Sequence, residues 1–306
     1  MPTPVIQRRE IPSSLFGPLA EFQGDSSCES ALQSQLTEHG YCLLRGTLDQ
    51  DEVLAARREV FERLESTGEI RSPCEDGIAT GESRRSELYP DANGFWQSVS
   101  EGPLLRAVTH GRRTHDLMTS VFGESARAHD MLYLRPTPAG RSTKLHYDFP
   151  FFAGRSRRIH TVWIPFGDVP LSDGPLVIIE NSHRFTDLIE PIRDHDYKQD
   201  RSNDAVQKAA YETPNAVHPI DLARERGVRL LSTEFRAGDL MIFGGFTLHG
   251  SLDNISPISR VRLSCDVRFQ PAADPHDDDR YFGPSPRGSK GGGYGDMRAA
   301  TFDPGE

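Results

Sequence analysis

The 306-residue chain has little cysteine, no long apolar run and no surplus of positive charge, and each shortage removes a class of function. Its four cysteines, Cys28, Cys42, Cys74 and Cys265, include no C-x-x-C pair, which argues against a zinc knuckle and against a disulfide framework. Free thiols in a reducing cytoplasm are the expected state. The longest nearly apolar stretch, Leu240 to Leu248, is broken by two Gly and a Thr and is far too short to span a bilayer. Behind the basic pair Arg8-Arg9 there is no apolar core of the kind a secretory signal needs. With 35 Lys and Arg against 45 Asp and Glu, the formal charge is −10. Such a chain makes a poor general binder of nucleic acid, whose phosphates are met chiefly by Lys and Arg. What remains is a cytoplasmic globular protein whose partner is a small molecule, with neither membrane nor nucleic acid involved; the sequence is silent on oligomeric state.

What is present divides the chain in two. In the first third, apolar residues recur at helical spacing: Ala31, Leu32 and Leu36; Val53, Leu54, Val60, Phe61 and Leu64; then Leu104 to Phe122, with Gly111 as an interruption and Gly123 as a stop. Tyr41 to Arg45 reads as a strand between the first two, and 71–95, rich in Pro, Gly and Ser, as a long loop. From Met131 short β-type runs take over, at 131–135, 143–149, 159–166, 175–180, 230–235, 239–243 and 261–269, bounded by Pro, Gly, Asp and Asn. Several short strands with turn punctuation favour a sandwich or barrel over a doubly wound sheet. The expected organisation is one domain over 1–306. Residues 1–128 form a mainly helical support, 129–270 a β-rich core and 271–306 a Gly/Asp-rich C-terminal loop. The core carries an insertion at 190–229, where 15 of 40 residues are charged, read as exposed and as a candidate lid.

The chemistry begins at Lys144-Leu-His146-Tyr-Asp148. On a strand, positions i and i+2 share a face, so His146 and Asp148 would project side by side and offer one metal ion a nitrogen and an oxygen. The spacing alone is weak, since a second such triplet occurs at His276-Asp-Asp278. That one lies in an acidic loop with no later histidine to complete a site, and solvated surface is its expected fate. The first pair has a downstream partner in His249, at the end of the apolar run from Leu240. Two histidines and a carboxylate form the facial triad that suits non-haem Fe(II) and leaves positions open for other ligands. From Arg260 to Phe269 the residues alternate, with Arg260, Arg262, Ser264, Asp266 and Arg268 on one face and Val261, Leu263, Cys265, Val267 and Phe269 on the other. The arginines must face either solvent or a wet barrel interior. An inward arginine near a metal would suit a carboxylate, which guanidinium grips with two bonds.

Three segments carry a family resemblance: His146-Tyr-Asp148; Trp163-Ile-Pro-Phe-Gly-Asp through Asp173-Gly-Pro-Leu176 to Ser182-His183; and His249-Gly-Ser with Asn254, Ser256 and Arg260. In that order they resemble the phytanoyl-CoA dioxygenase family of Fe(II)/2-oxoglutarate-dependent oxygenases, over roughly residues 130–270. The resemblance implies a mainly β fold with α, a double-stranded β-helix (jelly-roll) barrel with N-terminal helices packed on its larger sheet. It implies Fe(II) held by His146, Asp148 and His249, with 2-oxoglutarate as cosubstrate and O2 as oxidant. Succinate and CO2 would be released as a C–H bond of a small molecule is oxidised. Arg260, eleven residues after the distal histidine, would meet the far carboxylate of 2-oxoglutarate, with Arg262 as its rival. Ser251, Thr143 and Tyr133 are further candidates for the cosubstrate pocket, and Arg135, Lys144, Phe152 and Trp163 for the substrate. His183 is read as a structural turn residue. The carboxylate at 148 favours hydroxylation over halogenation, which in this broad class goes with a small residue there. Leu145 departs from the Trp common before the proximal histidine. Two alternatives stay open on the residues alone: a cupin-like metal isomerase or lyase, and a barrel that binds without catalysis.

Overall fold

A computed structural model describes residues 3–152, 156–196, 208 and 212–297. Its strands are β1 (Val5–Ile6), β2 (Arg9–Glu10), β3 (Phe16–Gly17), β4 (Tyr41–Leu44), β5 (Ala126–Thr137), β6 (His160–Pro165), β7 (Leu176–Ile179), β8 (Leu230–Leu231), β9 (Leu240–Gly244), β10 (His249–Ser251) and β11 (Arg262–Pro271). Five of them form one sheet in the order β4-β9-β6-β11-β5, four another in the order β10-β7-β8-β3, and β1 pairs with β2. Every pairing is antiparallel except β3 with β8. These are the two facing sheets of a jelly roll.

The helices follow from their sequence signals. Helix α1 (Glu29–His39) ends on Gly40 in the left-handed conformation, the usual helix stop. Helix α2 (Gln50–Ser66) begins on Asp49, whose carboxylate accepts from the backbone N–H groups of Asp51 and Glu52, an N-cap. The periodic run after Leu104 splits into helices Pro103–Thr109 and Arg112–Phe122, divided at Gly111 and closed by a left-handed Gly123, as the glycines suggested. The stretch 71–95 is less loop-like than its composition implied, holding a helical turn at Arg85–Leu88 and the start of a helix at Ala92–Ser100.

Strand periodicity sorts the core into layers. Leu32, Val53, Val60, Phe61, Leu64, Trp96, Met118 and Val121 of the helices pack on Cys42, Leu132, Leu134, Val162, Ile164, Ile242, Leu263, Cys265, Val267 and Phe269. These strand residues share the outer face of the five-stranded sheet. Between the sheets, Tyr41, Leu43, Trp163, Met241 and Phe243 meet Leu176, Ile178 and Leu231. The outside of the smaller sheet is covered by a third cluster including Val177, Ile179, Ile220, Leu222 and Tyr281.

One strand expectation is corrected. Residues 143–149 do not form one regular strand: His146 makes a single bridge to His249, and a helical turn follows at Phe149–Phe152. Of the insertion at 190–229, a turn at Glu190–Ile192 and a helix at Pro219–Arg226 are described; residues 197–207 and 209–211 of the candidate lid lie outside the described residues. Among the described residues, no helix is long and apolar enough to cross a membrane.

Candidate metal centre and cosubstrate pocket

The inner face of β11 is the floor of the site. Because strand residues alternate, Arg262, Ser264, Asp266 and Arg268 point between the sheets while their neighbours support the outer core. Register fixes who stands beside them: Arg262 lies opposite Thr137, Ser264 opposite Arg135 and Asp266 opposite Tyr133 on β5, while Asp266 and Arg268 lie opposite Trp163 and Thr161 on β6. All four inward residues of β11 are buried.

The opposite wall carries the histidines. His146 and His249 exchange backbone hydrogen bonds in both directions, at 2.9 and 3.1 Å. That direct antiparallel pairing sets their rings side by side, with centroids 4.3 Å apart. The pairing continues to Thr143, whose carbonyl accepts from Ser251 N–H and whose own N–H donates to Ser251 Oγ. Gly250 is required here, since a Cβ would lie 2.6 Å from the Thr143 carbonyl oxygen. Each imidazole Nδ1 lies against a backbone carbonyl, Lys144 at 3.0 Å and Thr247 at 2.9 Å. A carbonyl oxygen only accepts, so Nδ1 carries the proton and Nε2 presents its lone pair.

Both Nε2 atoms face one carboxylate oxygen. Asp148 Oδ1 lies 3.5 Å from His146 Nε2 and 3.9 Å from His249 Nε2, it is buried, and it has no hydrogen-bond partner. Asp148 Oδ2 accepts from Thr161 Oγ1 at 2.6 Å and from Arg268 at 2.9 Å. Burial alone would raise the Asp148 pKa, but Arg268, His249 and His146 outweigh it and hold the group well below the usual carboxylate range. Burial, reinforced by His146, lowers His249 to about 4, so its imidazole is neutral near pH 7. Three ligand atoms of His146, Asp148 and His249 lie within 4.8 Å of one another, each with a lone pair and none with a proton in the way. This donor set fits a divalent first-row metal with imidazole and carboxylate preferences. That Asp148 follows a bridge rather than extending a strand does not separate it from His146.

Next to the triad is a small cavity lined by Arg135, Thr143, His146, Trp163, Leu176, His249, Gly250, Ser251, Arg262 and Asp266. Thus Thr143, Ser251, Arg135 and Trp163 all reach it. Arg135 pairs with Asp266. Arg262 donates to Ser264 Oγ at 2.6 Å and to Thr137 Oγ1 at 2.9 Å, yet has no carboxylate partner among the described residues, and its Nε is buried and unsatisfied. Burial and the nearby Arg135 lower its pKa to about 10 against the opposing pull of Asp266. It is a buried cation at the cavity wall.

Other expected residues lie elsewhere. Arg260 does not reach the cavity: it pairs with Asp173 at 3.1 Å with a third of its side chain exposed. The cause is the turn before it, where Ser259 takes a positive φ of 59° and β11 starts only at Arg262, so Arg260 never joins the inward row. Lys144 is exposed at the rim. Phe152 and Tyr133 stack on Arg268, with ring centroids 3.8 and 5.1 Å from its guanidinium carbon. His183 sits in a turn beside the Thr37 carbonyl, and His276 is exposed. Sequence reasoning placed Arg268 on the inward face but gave it no task. Thr161 and Thr137 were missed, since a threonine in a strand is unremarkable until register sets it against an aspartate or an arginine.

The family model described as "Phytanoyl-CoA dioxygenase (PhyH)" matches residues 36–261. The chain belongs to the phytanoyl-CoA dioxygenase family. Among curated proteins it is similar to 1-deoxypentalenic acid 11-beta-hydroxylase of Streptomyces exfoliatus, with 26% identity over 289 residues, 90% of this chain and 92% of that one. A shorter likeness, 35% over 94 residues, links it to ectoine dioxygenase of Bordetella parapertussis, covering 30% of this chain and 28% of the relative. Among solved structures it shares its fold with the epimerase SnoN in complex with Fe3+, alpha ketoglutarate and nogalamycin RO, with a TM-score of 0.53 and 18% identity over 85% of this chain and 88% of that one. It also shares it with apo EctD from S. alaskensis, with a TM-score of 0.52 and 16% identity over 88% and 90%. With the family and the triad together, this phytanoyl-CoA dioxygenase family member is a non-haem Fe(II)/2-oxoglutarate-dependent oxygenase. The family sets aside a cupin-like isomerase or lyase that works without 2-oxoglutarate, and a barrel that binds without catalysis.

Proposed function

We propose that the enzyme hydroxylates a C–H bond of a small organic molecule in the cytoplasm, with His146, Asp148 and His249 holding Fe(II) and Arg262, not Arg260, anchoring 2-oxoglutarate. The observation that carries this reading is the pairing of two unsatisfied features on one cavity. Three lone pairs converge on one side, and the other carries a buried guanidinium that has no carboxylate partner among the described residues. A five-carbon diacid answers both. Bound iron would supply the point where 2-oxoglutarate and O2 meet, coupling decarboxylation to oxidation of the substrate.

The chain's own residues have separable tasks. Arg262, pre-aimed by Thr137 and Ser264, meets the distal carboxylate without losing orientation freedom on binding. Ser251 and Thr143 offer a hydroxyl beside it. Trp163 and Leu176 form apolar walls that exclude water from the cosubstrate. Arg135, at the cavity edge, and Phe152, against Arg268, are the substrate-side residues; Lys144 at the rim can meet an incoming ligand. The activities named for the two curated relatives, hydroxylation of 1-deoxypentalenic acid and oxidation of ectoine, support a small-molecule substrate. Four free thiols, three of them buried, support a reducing compartment. We take the chain as one catalytic domain, because a single apolar cluster runs from Leu32 to Met297.

The test is anaerobic addition of Fe(II) and then 2-oxoglutarate, followed by admission of O2 and a metabolite screen read by succinate release. A weak visible charge-transfer band and substrate-stimulated succinate are expected from wild type. His249→Ala and Asp148→Ala should lose both; succinate release unaffected by either change would refute the proposal.

A further inference from the structure

The two oxygens of Asp148 are not equivalent. Oδ1 is bare and faces both histidines, whereas Oδ2 takes two hydrogen bonds, from the Thr161 hydroxyl at 2.6 Å and the Arg268 guanidinium at 2.9 Å. Both donors stand on the central strands of the larger sheet, at positions directly opposite each other in the β6–β11 register. Arg268 cannot swing away. It is 1% exposed, lies against the rings of Phe152 and Tyr133, and its Nη2, which meets Asp148, also lies 3.9 Å from Asp266.

A carboxylate free at both oxygens can bind a metal through one or through both, and the second mode uses up a coordination position. Asp148 Oδ2 could join the metal only by giving up two hydrogen bonds, both charge-assisted because the acceptor is a carboxylate. We propose that Arg268 is a positioning residue that, with Thr161, locks Asp148 into one-oxygen ligation and so preserves the open positions which 2-oxoglutarate and O2 require. The inference rests on the metal reading of the triad and adds to it the device that limits how Asp148 is used.

Mn(II) alone, which needs neither cosubstrate nor turnover, is the probe. Water-proton relaxation per bound Mn(II) counts the exchangeable waters, and a facial triad with one-oxygen carboxylate ligation leaves about three. In Arg268→Met combined with Thr161→Val, a second oxygen should displace one water, lowering the relaxation enhancement by about a third. Metal affinity should change by roughly 10–100-fold, as for other groups that orient a ligand. Because losing a buried arginine can unfold the chain, the milder Thr161→Val is read alongside and should move in the same direction. Arg268→Lys, which keeps a donor, should restore part of the loss. Wild-type relaxation in every folded variant overturns the proposal. Mn(II) binding equally well to wild type and His249→Ala would instead overturn the metal reading itself, and this inference with it.

Discussion

Arg262 is 3% exposed and, among the described residues, donates to hydroxyls but to no carboxylate, the neighbouring Asp266 being paired with Arg135. A lone buried cation is costly unless something pairs it, which is the basis for the proposal that 2-oxoglutarate binds there. Arg262→Met should weaken 2-oxoglutarate binding by about 100-fold, equivalent to ~3 kcal/mol of charge-assisted hydrogen bonding. Arg260→Met, which removes a partly exposed ion pair with Asp173, should cost no more than a few-fold. Isothermal titration of the Mn(II)-loaded protein separates the two, and the reverse ranking would restore Arg260. At this scale the triad was legible in the sequence, because His146, Asp148 and His249 are residue types with few alternative uses in strands. The choice between Arg260 and Arg262 was not. Both have inward parity if the strand is assumed to start early, and only the turn at Ser259 shows where it starts.

At the scale of elements, the link from β10 to β11 determines that start. Asn254, wholly buried, donates to the carbonyls of Thr137 and Arg260 at 2.9 and 2.8 Å, and its Oδ1 accepts from Ser256 N–H at 3.0 Å. One side chain thus ties the end of β5, the turn and the approach to β11 together. Asn254→Ala strands two carbonyls and one N–H in the interior and should cost about 2–3 kcal/mol, read as a lower urea midpoint. It should also weaken cosubstrate binding, since Arg262 lies just beyond the tie. A midpoint within error of wild type would show that water replaces the amide at no cost. Helices and most strands were visible as periodicity, but 143–149 was not a strand despite its β-type residues. Pairing with the three-residue β10 ends at His146, and the chain turns once hydrogen bonds run out.

For the whole molecule, net charge and composition described a soluble-looking acidic chain without revealing where charge matters. The functional charges are few and interior. Three further histidines carry a pH consequence. Burial lowers His110 and His160 to about 4 each, and His129, itself 1% exposed, to about 3, with Arg106 adding at His110 and Arg268 at His129. In the unfolded chain each titrates near 6.5 (roughly). Their contribution is therefore complete above about pH 6.5 and is lost as pH falls towards 4, because the unfolded state takes up protons that the folded state refuses. Each adds a slope of up to about 1.4 kcal/mol per pH unit in that window. Urea midpoints should fall steeply from pH 7 to 5, and less so in His129→Gln; a flat profile would mean that these rings protonate without unfolding.

Strand β11, buried along its whole length, has a consequence for how this enzyme can change. Substitutions on its two rows should give distinct phenotypes: at Leu263, Cys265 or Val267, loss of soluble protein; at Arg262 or Ser264, folded protein that is inert. Deleting or inserting a single residue between 262 and 268 would exchange the rows, sending guanidinium groups into the helical layer and aliphatic chains towards the histidines. Length in this segment is therefore frozen, and variation among descendants should collect in the turns on either side, 252–261 and 272–297.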